Sequence, residues 1–200
     1  MTSGVPQGSV LGSTLFVVFI NPIDRVLEAL YGFISKCADD TKVGRVVECD
    51  SDRKGLQLIL NALVKWYEQW QMVFNADKCK VLHFGKRNSQ FSYTMGGHAP
   101  AGVVLESEEQ EKDVGVMISN DLKPSLQCST AAKKANSVLG RMAKSFTYRD
   151  RVVWVRLYKT YVRPHLEYAV QAWSPWTQAD SKVLEDVQRR AVRMTSGLVW

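Results

Sequence analysis

Two adjacent carboxylates, Asp39 and Asp40, lie in the polar turn Ala38-Asp39-Asp40-Thr41-Lys42. The turn joins two apolar stretches, Phe33-Ile34-Ser35-Lys36-Cys37 and Val43-Gly44-Arg45-Val46-Val47, which read as short strands closing a hairpin. Neighbouring carboxylates at a hairpin tip can hold a divalent cation that binds and activates a nucleoside triphosphate. The same pair also suits an ordinary solvated turn, so the chemistry needs support from its frame. Flanking apolar strands supply part of that support, because a metal site requires rigid mounting.

A second set of residues suits a polyanion. Arg149, Arg156 and Arg163 recur every seven positions with Lys159 beside them, and Lys133, Arg141 and Lys144 form a similar line on the preceding segment. Val153, Leu157, Tyr161 and Leu166 fall opposite, so this helix is expected to be apolar inward and cationic outward. Such a face can track a phosphate backbone, although a solvated surface carries the same pattern. Arg189, Arg190 and Arg193 add charge that could equally serve solubility. The 200 residues carry 26 Lys and Arg against 20 Asp and Glu, a net +6 that favours a polyanionic partner. Cys37, Cys49, Cys79 and Cys128 share no metal-ligand spacing with His83, His98 or His165, which argues against a zinc site. Nothing resembles a disulfide framework, so a reducing, intracellular setting is expected.

Several elements must position these groups. The run from Val10 to Ile20 is too short to span a membrane and reads as a buried helix, and no signal peptide or membrane partner is expected. Apolar steps from Leu15 to Leu30 continue it, with Pro22 as a breaking point. From Asp50 a helix is predicted with Leu56, Leu60, Leu63, Tyr67 and Trp70 as its apolar stripe; Trp66 and Trp70 read as core residues. Strands are predicted over residues 80–84, 91–94, 103–105 and 114–118. Beyond Leu122 the pattern turns wholly helical, over residues 124–146, 150–173 and 180–195. Trp173 and Trp176 bracket Pro175 and read as a corner between the last two helices in preference to a base-stacking platform. Loop chemistry at the very start of the chain, Ser3-Gly4-Val5-Pro6-Gln7-Gly8, is expected to continue from an earlier segment.

The chain resembles, over nearly its whole length, the reverse transcriptases of non-LTR (LINE-like, jockey-type) retrotransposons. Ser3-Gly4-Val5-Pro6-Gln7-Gly8-Ser9-Val10-Leu11-Gly12 is similar to a palm motif whose Pro-Gln-Gly turn helps form the nucleotide and template floor. Cys37-Ala38-Asp39-Asp40 resembles the metal-binding hairpin, residues 75–78 the following motif, and residues 113–118 the primer-grip strand. Leu157-Tyr158-Lys159, Tyr161-Val162-Arg163-Pro164 and Leu166-Glu167-Tyr168-Ala169 resemble thumb helices, followed by Leu184-Glu185 and Val187-Gln188-Arg189-Arg190-Ala191. Departures are Ser13-Thr14 in place of a Pro-Leu-like pair and Cys37 in place of an aromatic.

The resemblance implies an α+β fold: part of a right-hand polymerase palm over residues 1–122, with short antiparallel strands and packed helices, then an all-helical thumb over 123–200. It implies RNA-templated DNA synthesis with an RNA template, a DNA primer and deoxynucleoside triphosphates as partners. Asp39 and Asp40 would be Mg²⁺ ligands, Lys78 would sit near the triphosphate, Pro6, Gln7 and Gly8 would contact substrate, and Val114, Gly115 and Val116 would grip the primer. The family's third metal carboxylate comes from an earlier palm strand that would precede residue 1, so the chain alone is expected to be inactive. A non-catalytic nucleic-acid-binding module and an inert retrotransposon relic are the alternatives.

Overall fold

The computed structural model describes residues 8–28, 32–38, 40–72, 75–86, 88–96 and 102–195. The expected site residues Pro6, Gln7 and Asp39 lie outside them. The chain divides into two compact units, residues 1–108 and 109–200. It is a mixed fold of helices and short strands, as expected, and no helix among the described residues is long and apolar enough to cross a membrane.

In the first unit, helix α1 (Val10–Ile20) starts where Ser9 Oγ accepts the Gly12 N–H at 3.0 Å. It stops at Asn21 and Pro22, and α2 (Ile23–Glu28) follows, so the expected interruption at Pro22 is present. The expectation that Val10–Ile20 is buried fails. Phe16, Ile20 and Ile23 join the core, but Val10 is 90% and Leu11 70% exposed, and Leu15, Val17 and Val18 are also exposed. The helix is apolar around its whole circumference, and only one side finds partners.

Helix α3 (Asp50–Gln69) begins at a box in which Asp52 Oδ2 accepts the N–H groups of Glu48 and Cys49, each at 3.2 Å. Its buried stripe is Ile59, Leu60, Leu63, Trp66 and Tyr67, close to the predicted one. Trp70 is partly exposed instead of buried, stacking on Trp66 with ring centroids 5.4 Å apart. Strands β1 (Phe33–Cys37) and β2 (Asp40–Gly44) form the expected hairpin, but β2 begins earlier than predicted, so the connection is two residues long. Strand β3 (Lys80–Leu82) pairs with β6 (Glu106–Glu108) in parallel, an exception among the expected short antiparallel strands; β4 (Thr94–Met95) pairs antiparallel with β5 (Val103–Val104). Gln57 of α3 holds β4 as a neighbouring strand would: its Nε2 donates to Thr94 O at 2.7 Å and its Oε1 accepts the Thr94 N–H at 3.0 Å.

In the second unit, β7 (Gln110–Asp113) and β8 (Val116–Ser119) form an antiparallel hairpin. Val114 and Gly115, predicted to lie within a strand, are its turn, with φ of +44° and +87°. Helix α4 (Ser125–Ser145) follows. Its Ala132, Ala135 and Leu139 pack with Val187 and Ala191 of α8 (Gln178–Arg193), the alanines allowing close approach. The buried Asp180 accepts hydrogen bonds from the hydroxyls of Ser125 (3.0 Å) and Thr177 (2.8 Å), tying together the starts of α4 and α8.

The single helix predicted over residues 150–173 is divided. It comprises α5 (Arg151–Leu157), a π turn (Tyr158–Val162), α6 (Arg163–Glu167) and α7 (Val170–Trp173). Pro164 accounts for the π turn: it has no N–H to give the Thr160 carbonyl, and its ring crowds that carbonyl, so the preceding turn widens. Ala169, at φ +52°, separates α6 from α7. Trp154 (2% exposed) and Val162 (0%) face the core, whereas Val153 and Tyr161, expected inward, are exposed.

Candidate catalytic hairpin and nucleic-acid-binding face

The β1–β2 register pairs Cys37 with Asp40 and Lys36 with Thr41. Asp40 is therefore the first residue of β2, exposed, one step from the turn. Ala38 takes φ +55°, a left-handed conformation that costs a side-chain-bearing residue of order 1 kcal/mol. Tight two-residue hairpin connections demand such angles, so the strain follows from closing the hairpin this tightly.

Behind the tip, Lys36 fixes the hairpin to the corner between α1 and α2. Its Nζ lies 2.8 Å from Asp24 Oδ1, with weaker contacts to Asn21 Oδ1 at 3.4 Å and Ile20 O at 3.5 Å. The Asp24 contact has the distance of an ion pair without satisfying hydrogen-bond geometry. Next to Asp40, the Thr41 hydroxyl is buried with no hydrogen-bond partner among the described residues.

Those residues contain no group of three acids, histidines or cysteines close enough to share a metal ion. Asp40 by itself does not make a metal centre. Lys78 ends a single 3-10 turn (Ala76–Lys78) and is exposed; no hydrogen bond or ion pair joins it to Asp40. Gly8 is exposed at φ +79°, with open space where a side chain would project.

Val114 and Gly115 are held from the helical side of their own unit. The Tyr168 hydroxyl donates to Val114 O at 3.0 Å, and a Cβ on Gly115 would come 3.1 Å from the Tyr168 ring. Val116 packs on Cys128, Ala131 and Trp173, and the Met117 N–H donates to Gln127 Oε1 at 2.8 Å.

The predicted cations separate by environment. Lys133, Arg141 and Lys144 are exposed on α4, which contains no Asp or Glu in its 21 residues. None of the three has an ion-pair partner among the described residues, and the same holds for the exposed Arg156 and Lys159. Arg149 is committed elsewhere: its Nη2 donates to Ala143 O at 2.8 Å, its Nε donates to Phe146 O at 3.2 Å, and its guanidinium lies 5.5 Å from the Trp154 ring centroid. It closes the end of α4 and clamps the core. Arg163 pairs with Glu167 at 2.6 Å in an exposed i,i+4 bridge, the kind that contributes little stability.

Charge is distributed unevenly between the units. Residues 1–108 hold 11 basic and 11 acidic side chains, and residues 109–200 hold 15 and 9, so the whole net +6 belongs to the helical unit. That asymmetry was legible in the sequence once the division between the units was known. Trp173 and Trp176 flank the expected corner between α7 and α8, where Trp173 is buried and Trp176 is 72% exposed.

A family model described as reverse transcriptase (RNA-dependent DNA polymerase) matches residues 1–140. Among curated proteins, the chain is 27% identical to the RNA-directed DNA polymerase from mobile element jockey of Drosophila melanogaster over 210 residues, with 100% of this chain and 22% of the relative aligned. The jockey polymerase of Drosophila funebris is 26% identical, covering 99% of this chain and 22% of the relative. A probable RNA-directed DNA polymerase from the X-element transposon of Drosophila melanogaster is 22% identical, with 100% and 22% covered. The chain thus spans about a fifth of the length of these relatives. No solved structure matches it.

Proposed function

This chain belongs to the reverse transcriptase (RNA-dependent DNA polymerase) family of non-LTR retrotransposons, and from that premise we propose that it forms part of an enzyme copying RNA into DNA. Residues 1–122 are read as part of the palm and residues 123–200 as thumb. The observation that carries the reading is the tight β1–β2 hairpin, which sets Asp40, next in sequence to Asp39, at the start of β2 beside the turn. In the family's chemistry, bound Mg²⁺ neutralises the triphosphate and stabilises the attacking and leaving oxygens. Asp39 and Asp40 would be ligands; the described residues alone do not complete the set.

The chain's own residues have separable tasks in this reading. Lys36, tied to Asp24, holds the carboxylate hairpin still. Lys78 contributes a positive charge for the triphosphate, and the turn containing Pro6, Gln7 and Gly8 contacts nucleotide and template. Val114, Gly115 and Val116 meet the primer. Lys133, Arg141 and Lys144, with Arg156 and Lys159 on the neighbouring segment, bind template and primer phosphates. Arg149 is assigned to holding the fold, since its Nε and Nη2 already donate to the Phe146 and Ala143 carbonyls.

Primer extension on an RNA template with Mg²⁺, run beside a filter-binding assay, tests the proposal. The isolated chain is expected to bind primed template without extending it. Extension by the chain would show that the site is complete as it stands. Extension that survives Asp39→Ala together with Asp40→Ala would remove the hairpin from catalysis. A second reading, a nucleic-acid-binding module without catalysis, is favoured by the confinement of the net charge to the helical unit. It would prevail if a longer chain carrying additional upstream sequence also bound but never extended.

A further inference from the structure

Trp176 is a large apolar side chain that the packing of the helical unit does not use. Its neighbour Trp173 already fills the corner between α7 and α8: the ring is 4% exposed and its Nε1 donates to Tyr168 O at 2.8 Å. Trp176 contributes nothing comparable to the core and leaves its ring in water, an unfavourable arrangement unless something covers it.

Its surroundings indicate what that is. Trp176 borders an open depression shared with Gln178, Lys182, Glu185 and Arg189. Lys182 has no ion-pair partner among the described residues, and the Gln178 amide makes no hydrogen bond there. Arg189 is held by Glu185 at 2.9 Å and by Asp186 at 3.9 Å. The depression therefore offers one flat aromatic face, one amide able to donate and accept, and one unpaired cation. Glu185 makes it unfavourable for a dense phosphate array. A duplex hides its base faces by stacking and presents closely spaced phosphates, so it fits poorly. An unpaired nucleotide, with one exposed base and a single nearby phosphate, fits well.

We propose that Trp176 is a stacking platform for an unpaired base of single-stranded nucleic acid, with Gln178 contacting the base edge and Lys182 the adjoining phosphate. The inference rests on the reading of the helical unit as nucleic-acid-binding. It adds a site separate from the cationic face of α4 and different in chemistry, since stacking depends little on salt and tolerates any base.

The test uses the full 200-residue chain and fluorescence anisotropy with a labelled single-stranded oligonucleotide, a duplex of the same sequence, and an abasic oligomer of equal length. Trp176→Ala is expected to weaken single-strand binding roughly five- to hundredfold while leaving the slope of affinity against salt unchanged. Trp176→Phe should restore much of the loss, and duplex and abasic binding should not change. Because the ring is exposed, the variant's thermal unfolding should match the parent's. Equal single-strand affinity for Trp176→Ala and parent overturns the platform while leaving the nucleic-acid reading intact, as does an equal loss on the abasic oligomer. Failure of the parent chain to bind any of the three overturns both.

Discussion

At the scale of single residues, the hairpin turn contains a strained alanine just before the acidic pair proposed above to bind metal. Ala38 at φ +55° has a conformation that glycine adopts freely. Ala38→Gly should therefore raise stability slightly, by roughly a few tenths of a kcal/mol in urea unfolding, because the relieved strain of about 1 kcal/mol is partly offset by the added freedom of the unfolded chain. A decrease would mean that the turn does not hold this conformation in solution. Asp121 makes a different kind of prediction. The Ser119 hydroxyl, at 2.6 Å, and the Lys123 backbone N–H, at 3.0 Å, hold its carboxyl down to about 2. A depressed folded-state value means that the turn's contribution is complete above the ordinary carboxylate range and is lost as pH falls through about 2. NMR titration should place the Asp121 midpoint there, and Ser119→Ala should move it upward. Neither feature is visible in the sequence: Ala38 is not a residue that announces a left-handed turn, and the Asp121 shift depends on a local fold that brings three residues together.

At the scale of elements, what could be read in advance was whatever local periodicity controls. The α3 stripe is nearly right because a helix packed on one side must repeat its apolar residues every three or four positions. The long helix after Asp150 is not, because counting residues assumes an unbroken pitch, and Pro164 changes the pitch one turn before itself. Trp176 is equally illegible, since a tryptophan beside a proline corner has the same sequence whether its ring turns in or out. The β7–β8 hairpin depends on such long-range packing as well. Gly115 needs both its positive φ and the space beneath Tyr168, so Gly115→Ala should cost about 1–2 kcal/mol in thermal unfolding. Tyr168→Phe, which removes only the bond to Val114 O, should cost less, about 1 kcal/mol. A Gly115→Ala variant as stable as the parent would show that the tyrosine does not sit against the hairpin.

At the scale of the whole molecule, the neutral first unit and cationic second unit predict where polyanions bind. Each duplex phosphate that a variant no longer neutralises reduces the slope of log affinity against log salt by about 0.9. Lys133→Ala, Arg141→Ala and Lys144→Ala together should therefore lower it by between two and three. The same number of alanines at Lys54, Lys65 and Lys78 of the neutral unit should reduce it by less than one. Equal effects from the two triple variants would mean that the charge division has no bearing on binding. Family, general architecture and the position of the acidic hairpin were all available from sequence, because they rest on contiguous motifs. The division of charge was open to the same reading, since the residues on either side of the boundary expected at 122 already differ in net charge; the structure moved that boundary to residue 108.

The uncovered side of α1 gives the chain a colloidal character as well as a fold. Its valines and leucines attract one another once electrostatic repulsion between molecules is screened, and a net +6 is a modest barrier. Raising the salt concentration should thus turn intermolecular forces from repulsive to attractive, seen as a falling second virial coefficient in light scattering. Val10→Lys with Val18→Glu should postpone that crossover to higher salt. The same conditions that release nucleic acid would then draw the chains together, and the molecule's solubility and its hold on a polyanion would respond to salt in concert.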